Sequence, residues 1–378
     1  MTVPLSILEL SPVVTGGDAA RALRETVELA RHAEDLGYRR FWLAEHHFAQ
    51  GVASSAPQVL IALVAAATRR IRVGSGAVQT GQWTPLAIVE QFGTIDALHP
   101  GRIDLGLGRS GQRRAEFAAQ ASAPPKPVPE ARVVDGLLIP RPFDFSALVG
   151  VPGLKLLAEL LQQPGAQAPD FAEIVDDVAA LIGGTFRLAD GTEAHAVPGE
   201  GADLELWILG SSGGQSAQVA GERGLPFAAN YHVAPSAVLE AVEAYRAAFK
   251  PSDVLSEPYV VVSADVVVAP DDATARRLAS PYGAWVRSIR TGLNAIPFPT
   301  PEEADALEWT DEERELVADR LDTQFVGAPG TVAERLRTLQ RVTGADELLV
   351  TTIVHDHADR LRSFELLARE WGLRGHEA

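Results

Sequence analysis

Short apolar runs recur roughly every 30 residues in the first part of this chain, with helical periodicity between them. Residues 5–10 form the first run, stopped by Ser11-Pro12. Gly16-Gly17-Asp18 then opens a helix whose apolar positions Ala22, Val27, Ala30, Ala33 and Leu36 repeat at helical spacing, and Gly37 ends it. The second, third and fourth runs are 41–44, 71–78 and 102–108. Helices over about 58–68 and 85–98 separate them, each opened by an early proline. Strands alternating with helices in this way pair in parallel through right-handed crossovers. Four more strands are read at 204–209, 225–230, 260–268 and 347–354, each followed by helical sequence. Eight such units favour an α/β fold closed as a (β/α)8 TIM barrel over an open doubly wound sheet. Gly106-Leu107-Gly108-Arg109-Ser110-Gly111 fits the dinucleotide pattern Gly-x-Gly-x-x-Gly. It lies on the fourth strand, and no apolar strand with a ribose-binding acid follows it, so it carries little weight.

A barrel of this kind takes about 250 residues, and the chain has 378. The surplus falls in two places. From about 112 to 203, after strand 4, the regular pattern fails. Pro124-Pro125-Lys126-Pro127-Val128-Pro129 suits neither a helix nor a central strand. Residues 151–161 and 171–182 read as amphipathic helices, and 186–198 as a hairpin turning at Asp190-Gly191. A second excursion, about 280–325, follows strand 7 and carries a strongly charged helix near 310–321. An insertion after a barrel strand lies over the mouth of the active site, where a lid or substrate wall belongs; a structural excursion with an oligomer contact is the other reading. The whole chain, 1–378, is read as one domain.

Composition narrows the function classes. Forty-six per cent hydrophobic residues suffice for a large core, and 50 acidic against 33 basic residues give a net charge of −17. That charge argues against nucleic-acid or anionic-membrane binding. The absence of cysteine excludes disulfides, thiolate metal sites and cysteine nucleophiles. No run approaches the roughly 20 apolar residues of a membrane span, and the start lacks the pattern of a signal peptide. The cytoplasm is the expected location.

The chemistry gathers at strand ends. The run Phe41-Trp42-Leu43-Ala44 stops abruptly at Glu45-His46-His47, and three adjacent titratable groups are costly to bury without partners. Other strand ends supply Gln79, Arg109, Tyr231 with His232, and His355 with His357. Gly210-Ser211-Ser212-Gly213-Gly214-Gln215-Ser216 joins a strand to a helix start. There, backbone N–H groups and the helix dipole make a phosphate cradle, the alternative being a capped glycine turn. Barrel topology brings all these ends to one face. Three chemistries compete. A metal hydrolase finds no ligand spacing beyond His46 and His47, so no metal is expected. Acid–base chemistry on a phosphorylated substrate is open. So is a phosphate-bearing cofactor held by the Ser-Gly loop, with His46 facing its ring.

The chain resembles the flavin-dependent monooxygenases of the bacterial luciferase-like superfamily. The residues that carry the resemblance are 44–48 (Ala-Glu-His-His-Phe), 73–78, Pro85 with Glu90-Gln91, His99-Pro100-Gly101-Arg102 through Arg109, Gly210-Ser211-Ser212 leading to Ala217, 224–226, Gly330-Thr331 and 344–347. Together they cover roughly residues 3–111 and 204–370. The resemblance implies a (β/α)8 barrel, commonly a homodimer, that uses reduced FMN (FMNH2) delivered by a separate flavin reductase, or deazaflavin F420 in one branch. It also implies a non-proline cis peptide at the end of strand 3, here Gly76–Ala77. By the same resemblance Arg109 and the segment Ser212–Ser216 bind the flavin phosphate. The cofactor-binding set comprises Ala44, Gly76, Ala77, Gln79, Arg109, Gly210, Ser211, Ser212, Gly213, Ser216 and Tyr231. Glu45, His46 and His47 are the catalytic candidates, with His46 as acid or base for a C4a-hydroperoxide formed from O2, which then oxygenates a small organic substrate. F420-dependent hydride transfer and a non-catalytic flavin-binding homologue are the alternatives. The stretch after Arg109 departs from the family pattern and leaves the substrate open.

Overall fold

The computed structural model describes residues 2–109, 128–144, 156, 159–161, 166, 169–292 and 294–375. The helix read over 151–161 and the proline run at 124–129 lie largely outside the described residues.

Eight parallel strands close on themselves, as the spacing predicts. They are β1 (Leu5–Glu9), β2 (Arg40–Leu43), β3 (Arg72–Ser75), β4 (Ile103–Gly108), β5 (Glu205–Gly210), β6 (Phe227–Asn230), β7 (Val260–Val268) and β8 (Glu347–Thr351). Each pairs with the next, and β8 returns to β1 through Leu348 opposite Leu5 and Val350 opposite Ile7. The helices are α1 (Ala19–Leu36), α2 (Pro57–Ala67), α3 (Pro85–Leu98), α4 (Phe171–Ile182), α5 (Gln215–Glu222), α6 (Val238–Ala248), α7 (Asp272–Ala279), α8 (Tyr282–Arg290), α9 (Pro301–Asp305), α10 (Asp311–Thr323), α11 (Pro329–Thr343) and α12 (His357–Trp371). Their ends follow local chemistry. Asp18 caps α1 by accepting from the Arg21 N–H at 2.7 Å. Gly37 closes it at φ 86°, where a Cβ would lie 2.5 Å from the Arg374 carbonyl oxygen.

Three features refine the expected architecture. Helix α4, inside the stretch read as an insertion, packs against α3 and α5 in the outer ring and takes the place of the fourth barrel helix. Before it, Arg132–Val134 and Leu137–Ile139 form an antiparallel hairpin turning at Asp135 (φ 47°) and Gly136 (φ 90°). Asp-Gly between apolar residues is the sequence signal for such a turn. Phe325–Gly327, where the second excursion ends, is a short strand that extends the upper end of β7. The stretch 186–198 does turn at Asp190-Gly191, with Arg187 bridged to Glu193.

Strand alternation sorts side chains between the inside of the barrel and the helix layer. Phe41 and Leu43 join the outer core, whereas Trp42 joins the inner one. The inside is layered. At the N-terminal end Arg40, 2% exposed, donates to Asp104 at 2.8 Å and Glu205 at 2.7 Å and pairs with Glu347 at 3.2 Å. Arg72 and the Trp42 indole also donate to Asp104, at 2.7 and 2.8 Å. Above this ionic layer Trp42 and Trp207 meet edge to face at 5.0 Å. They form a floor, and everything above it opens toward the C-terminal ends of the strands.

Candidate active site at the C-terminal mouth of the barrel

A cavity of about 520 Å³ stands on that floor, lined from β1, β2 and their loops round to β8. Its base is made of small residues. The Gly76–Ala77 peptide bond is cis. A Cβ on Gly76 would come 2.8 Å from Leu8 Cδ1, and one on Gly108 would come 3.1 Å from Ala77 Cβ. A larger residue at either position would press on its neighbours, so the base stays small.

On one side Ala44, Glu45, His46 and His47 line the cavity. The loop after β2 is clamped by its backbone: the His46 N–H donates to the Ser54 carbonyl at 2.9 Å, and the Ser54 hydroxyl donates to the Ala44 carbonyl. Glu45, expected among the reacting groups, spends its carboxylate on this scaffold. It faces His47 Nε2 at 2.9 Å and accepts from the Gln79 N–H at 2.8 Å and the Trp83 indole at 3.2 Å. Gln79 answers by donating its side-chain amide to the Glu45 carbonyl at 2.6 Å. Glu45 and Gln79 therefore hold the loop in place. His46 is exposed and lines the cavity. Desolvation lowers its pKa, Glu45 opposing and His47 adding.

Arg109, Gly210, Ser211, Ser212, Gln215 and Ser216 line the opposite end. Arg109 donates to Gln215 at 2.9 Å, and Gln215 donates to Asp170, the cap of α4, at 2.7 Å. Helix α5 starts at Gly214 with no side-chain cap, which leaves first-turn N–H groups for an anion. The Ser211 hydroxyl is buried and has no partner among the described residues. A guanidinium, an unpaired hydroxyl and an uncapped helix start suit a phosphate monoester.

Two expected cofactor residues lie elsewhere. Tyr231 follows Asn230, and alternation turns it outward: its hydroxyl donates to the Leu138 carbonyl of the hairpin at 2.7 Å. Gly213 faces Glu240 and Ala244 of α6. His355 and His357 also fall outside the lining; the His355 ring lies 3.0 Å from the Thr15 carbonyl. The cavity instead recruits Asn230, His232, Ser263, Asp265 and Arg320. The two β7 residues were legible: Ser263 and Asp265 interrupt a run of valines at a spacing of two, the period of one strand face. Asp265 accepts from the Tyr282 hydroxyl and lies 3.4 Å from Arg320, and burial raises its pKa against the pull of Arg320. Arg320 comes from α10 in the second excursion and carries no sequence signal that separates it from the other charges of that helix.

A closed (β/α)8 barrel with a polar cavity at the strand C-termini is the architecture of an enzyme. The family model for luciferase-like monooxygenases matches residues 5–136 and 159–347. The chain belongs to that family. It is 36% identical to a luciferase-like monooxygenase of Escherichia coli K12 over 368 residues, covering 97% of this chain and 96% of the relative. The crystal structure of apo-MsnO8 superposes with a TM-score of 0.78 at 32% identity and covers 99% of both chains. At fold level only, the chain is similar to the oxygenating constituent of 3,6-diketocamphane monooxygenase of Pseudomonas putida in complex with FMN (TM-score 0.63, 19% identity, 98% of each chain covered). It is similar in the same sense to an F420-dependent secondary alcohol dehydrogenase (TM-score 0.61, 14% identity, 98% and 99%).

Proposed function

We propose that the protein is a monooxygenase that binds reduced FMN and uses O2 to oxygenate a small organic substrate, the reduced flavin being delivered by a separate reductase. The observation that carries this reading is the pairing of a phosphate cradle at Arg109, Ser211 and α5 with a small-residue base at Gly76, Ala77 and Gly108. Reduced flavin, when bound, supplies the electrons that activate oxygen. The residues do the rest. Arg109, Ser211, Ser212 and Ser216 hold the phosphate, and the glycine base admits the ring. Glu45 and Gln79 position the loop that carries His46. His46, kept neutral by its surroundings, accepts and returns a proton at its free ring nitrogen.

Replacing Arg109 with alanine is expected to weaken FMN binding about 10- to 100-fold, the range for a lost charge-assisted hydrogen bond of about 1.5–3 kcal/mol. Riboflavin, which lacks the phosphate, should be nearly unaffected. Equal losses for the two ligands, read by anaerobic fluorescence titration, would remove the phosphate assignment. A parallel titration with F420 tests the hydride-transfer alternative: F420 bound tightly in place of FMN would move the protein to that branch. Binding of FMN without oxygen-coupled turnover on any substrate would leave the non-catalytic reading.

We also propose a homodimer through α2 and α3. Helix α2, Pro-Gln-Val-Leu-Ile-Ala-Leu-Val-Ala-Ala-Ala, is apolar apart from the buried Gln58, and a helix apolar all round is normally buried on every side. Yet Val59 is 60% and Leu63 54% exposed, one turn apart, with Leu86 of α3 46% exposed. Light scattering should give twice the 40.3 kDa chain mass, and Leu63→Arg should halve it. A monomeric wild type would refute the interface. Among the described residues no helix is long and apolar enough to cross a membrane.

A further inference from the structure

His232 follows β6 and shares the cavity with His46. Its Nδ1 lies 2.6 Å from the Ser263 hydroxyl oxygen. That hydroxyl in turn lies 3.3 Å from both the Ala229 carbonyl oxygen and Asn230 Oδ1. A serine hydroxyl has one proton to give. The Ala229 carbonyl and Asn230 Oδ1 are acceptors on β6 toward which the hydroxyl can turn its proton, leaving a lone pair for His232. In that arrangement His232 Nδ1 is the donor. In a neutral imidazole this puts the single proton on Nδ1 and leaves Nε2 as a bare acceptor. The ring does stay neutral: burial, the nearby Arg320 charge and His46 together push its pKa down to about 3. Around it the cavity is rich in donors, from Arg109 at one end to Arg320 at the other. An acceptor that does not protonate under working conditions is therefore a specific feature of this wall.

We propose that His232, fixed as its Nδ1–H tautomer by Ser263, offers Nε2 to the N–H that flavin carries at N5 only when reduced, so that the cavity selects the reduced cofactor. The inference rests on the flavin reading above and on the nearness of His232 to His46. Its chemistry is one of matched lone pairs. Oxidised flavin presents a bare nitrogen at N5, and two acceptors facing each other repel. Reduced flavin presents a donor there and forms a hydrogen bond. A 5-deazaflavin has carbon at that position in both redox states and gains nothing from Nε2. Ser263 is a positioning residue in this scheme, and His232 is the group that touches the cofactor.

The test has two parts. Nitrogen-15 NMR of the histidine-labelled protein should show His232 neutral and protonated at Nδ1 from pH 5 to pH 8, with that preference lost in Ser263→Ala. An Nε2–H tautomer, or titration near the ordinary value of about 6.5, would overturn the proposal. Anaerobic titrations with FMN and with dithionite-reduced FMN should show the reduced form bound at least tenfold more tightly by the wild type. His232→Leu should bring the two affinities together, and His232→Gln, which keeps a side-chain acceptor, should restore part of the preference. An unchanged ratio in His232→Leu overturns the role of His232 and leaves the flavin reading standing. A wild type that binds neither form overturns both, and shows it before any variant is made.

Discussion

Replacing His46 with alanine is expected to lower oxygenated product by about 10²–10⁴-fold, the usual contribution of a positioned acid–base group. FMN affinity should hardly change, because the phosphate cradle lies at the other end of the cavity. The loop should also hold its shape, since its clamp to Ser54 runs through the His46 backbone N–H and not through the ring. Oxygen should still be consumed and should appear as hydrogen peroxide in place of product. Measuring peroxide against product in a single turnover checks this, and wild-type coupling in the variant would remove His46 from the mechanism. The pH dependence follows from the surroundings of the ring. The His46 pKa is lowered by desolvation, so the neutral, proton-accepting form persists below the ordinary imidazole value of about 6.5. Activity that depends on it should hold as pH falls past that value and decline only as pH drops through the lowered pKa. An acid limb above pH 6.5 would point to a different group.

Replacing Arg40 with methionine is expected to cost about 3–5 kcal/mol, the penalty for removing one partner from a buried ionic network. Asp104 and Glu347 are both fully buried. Without Arg40, Asp104 keeps Arg72 and the Trp42 indole, while Glu347 keeps Ser6, the Tyr259 hydroxyl and the distant Arg39. The guanidinium joins strands β2, β4, β5 and β8 across the bottom of the barrel, so no surface change compensates for its loss. In the variant the stranded carboxyls should be pushed above their unfolded pKa values. The folded state then binds more protons than the unfolded state, and stability should rise as pH falls through the carboxylate range. Denaturant unfolding at two pH values measures both effects. Adding Glu347→Gln to the variant should recover part of the loss, a coupling that a double-mutant cycle resolves. A loss below about 1 kcal/mol, the value of an exposed pair, would mean that water reaches the network.

Much of this was legible in the order of residues. The eight strands and the positions of α1, α3 and α4 followed from apolar periodicity, Asp18, Gly37 and Thr84-Pro85, because caps and turn residues act within a few positions of themselves. Glu45, His46, Arg109 and the Ser211–Ser216 loop were legible because a parallel barrel sends every strand end to one face. What local sequence left open at the site was direction. Tyr231 and His232 are neighbours at the end of β6, and the outward turn of Tyr231 toward Leu138, with His232 turned to Ser263, depends on where β6 sits between β5 and β7. Glu45 looked reactive until Gln79 and Trp83, more than 30 positions further on, appeared as its donors.

The sequence by itself determined the barrel, the face that carries the chemistry and the family, since each is written in local periodicity and in short motifs. Only the tertiary structure decided which polar groups stay free to react. It made a scaffold of Glu45, turned Tyr231 away, and brought Ser263, Asp265 and Arg320 to His46 and His232. The reason is physical: proton position and charge in a closed cavity are set by hydrogen-bond partners and desolvation, and those come from residues that are neighbours in space and strangers along the chain.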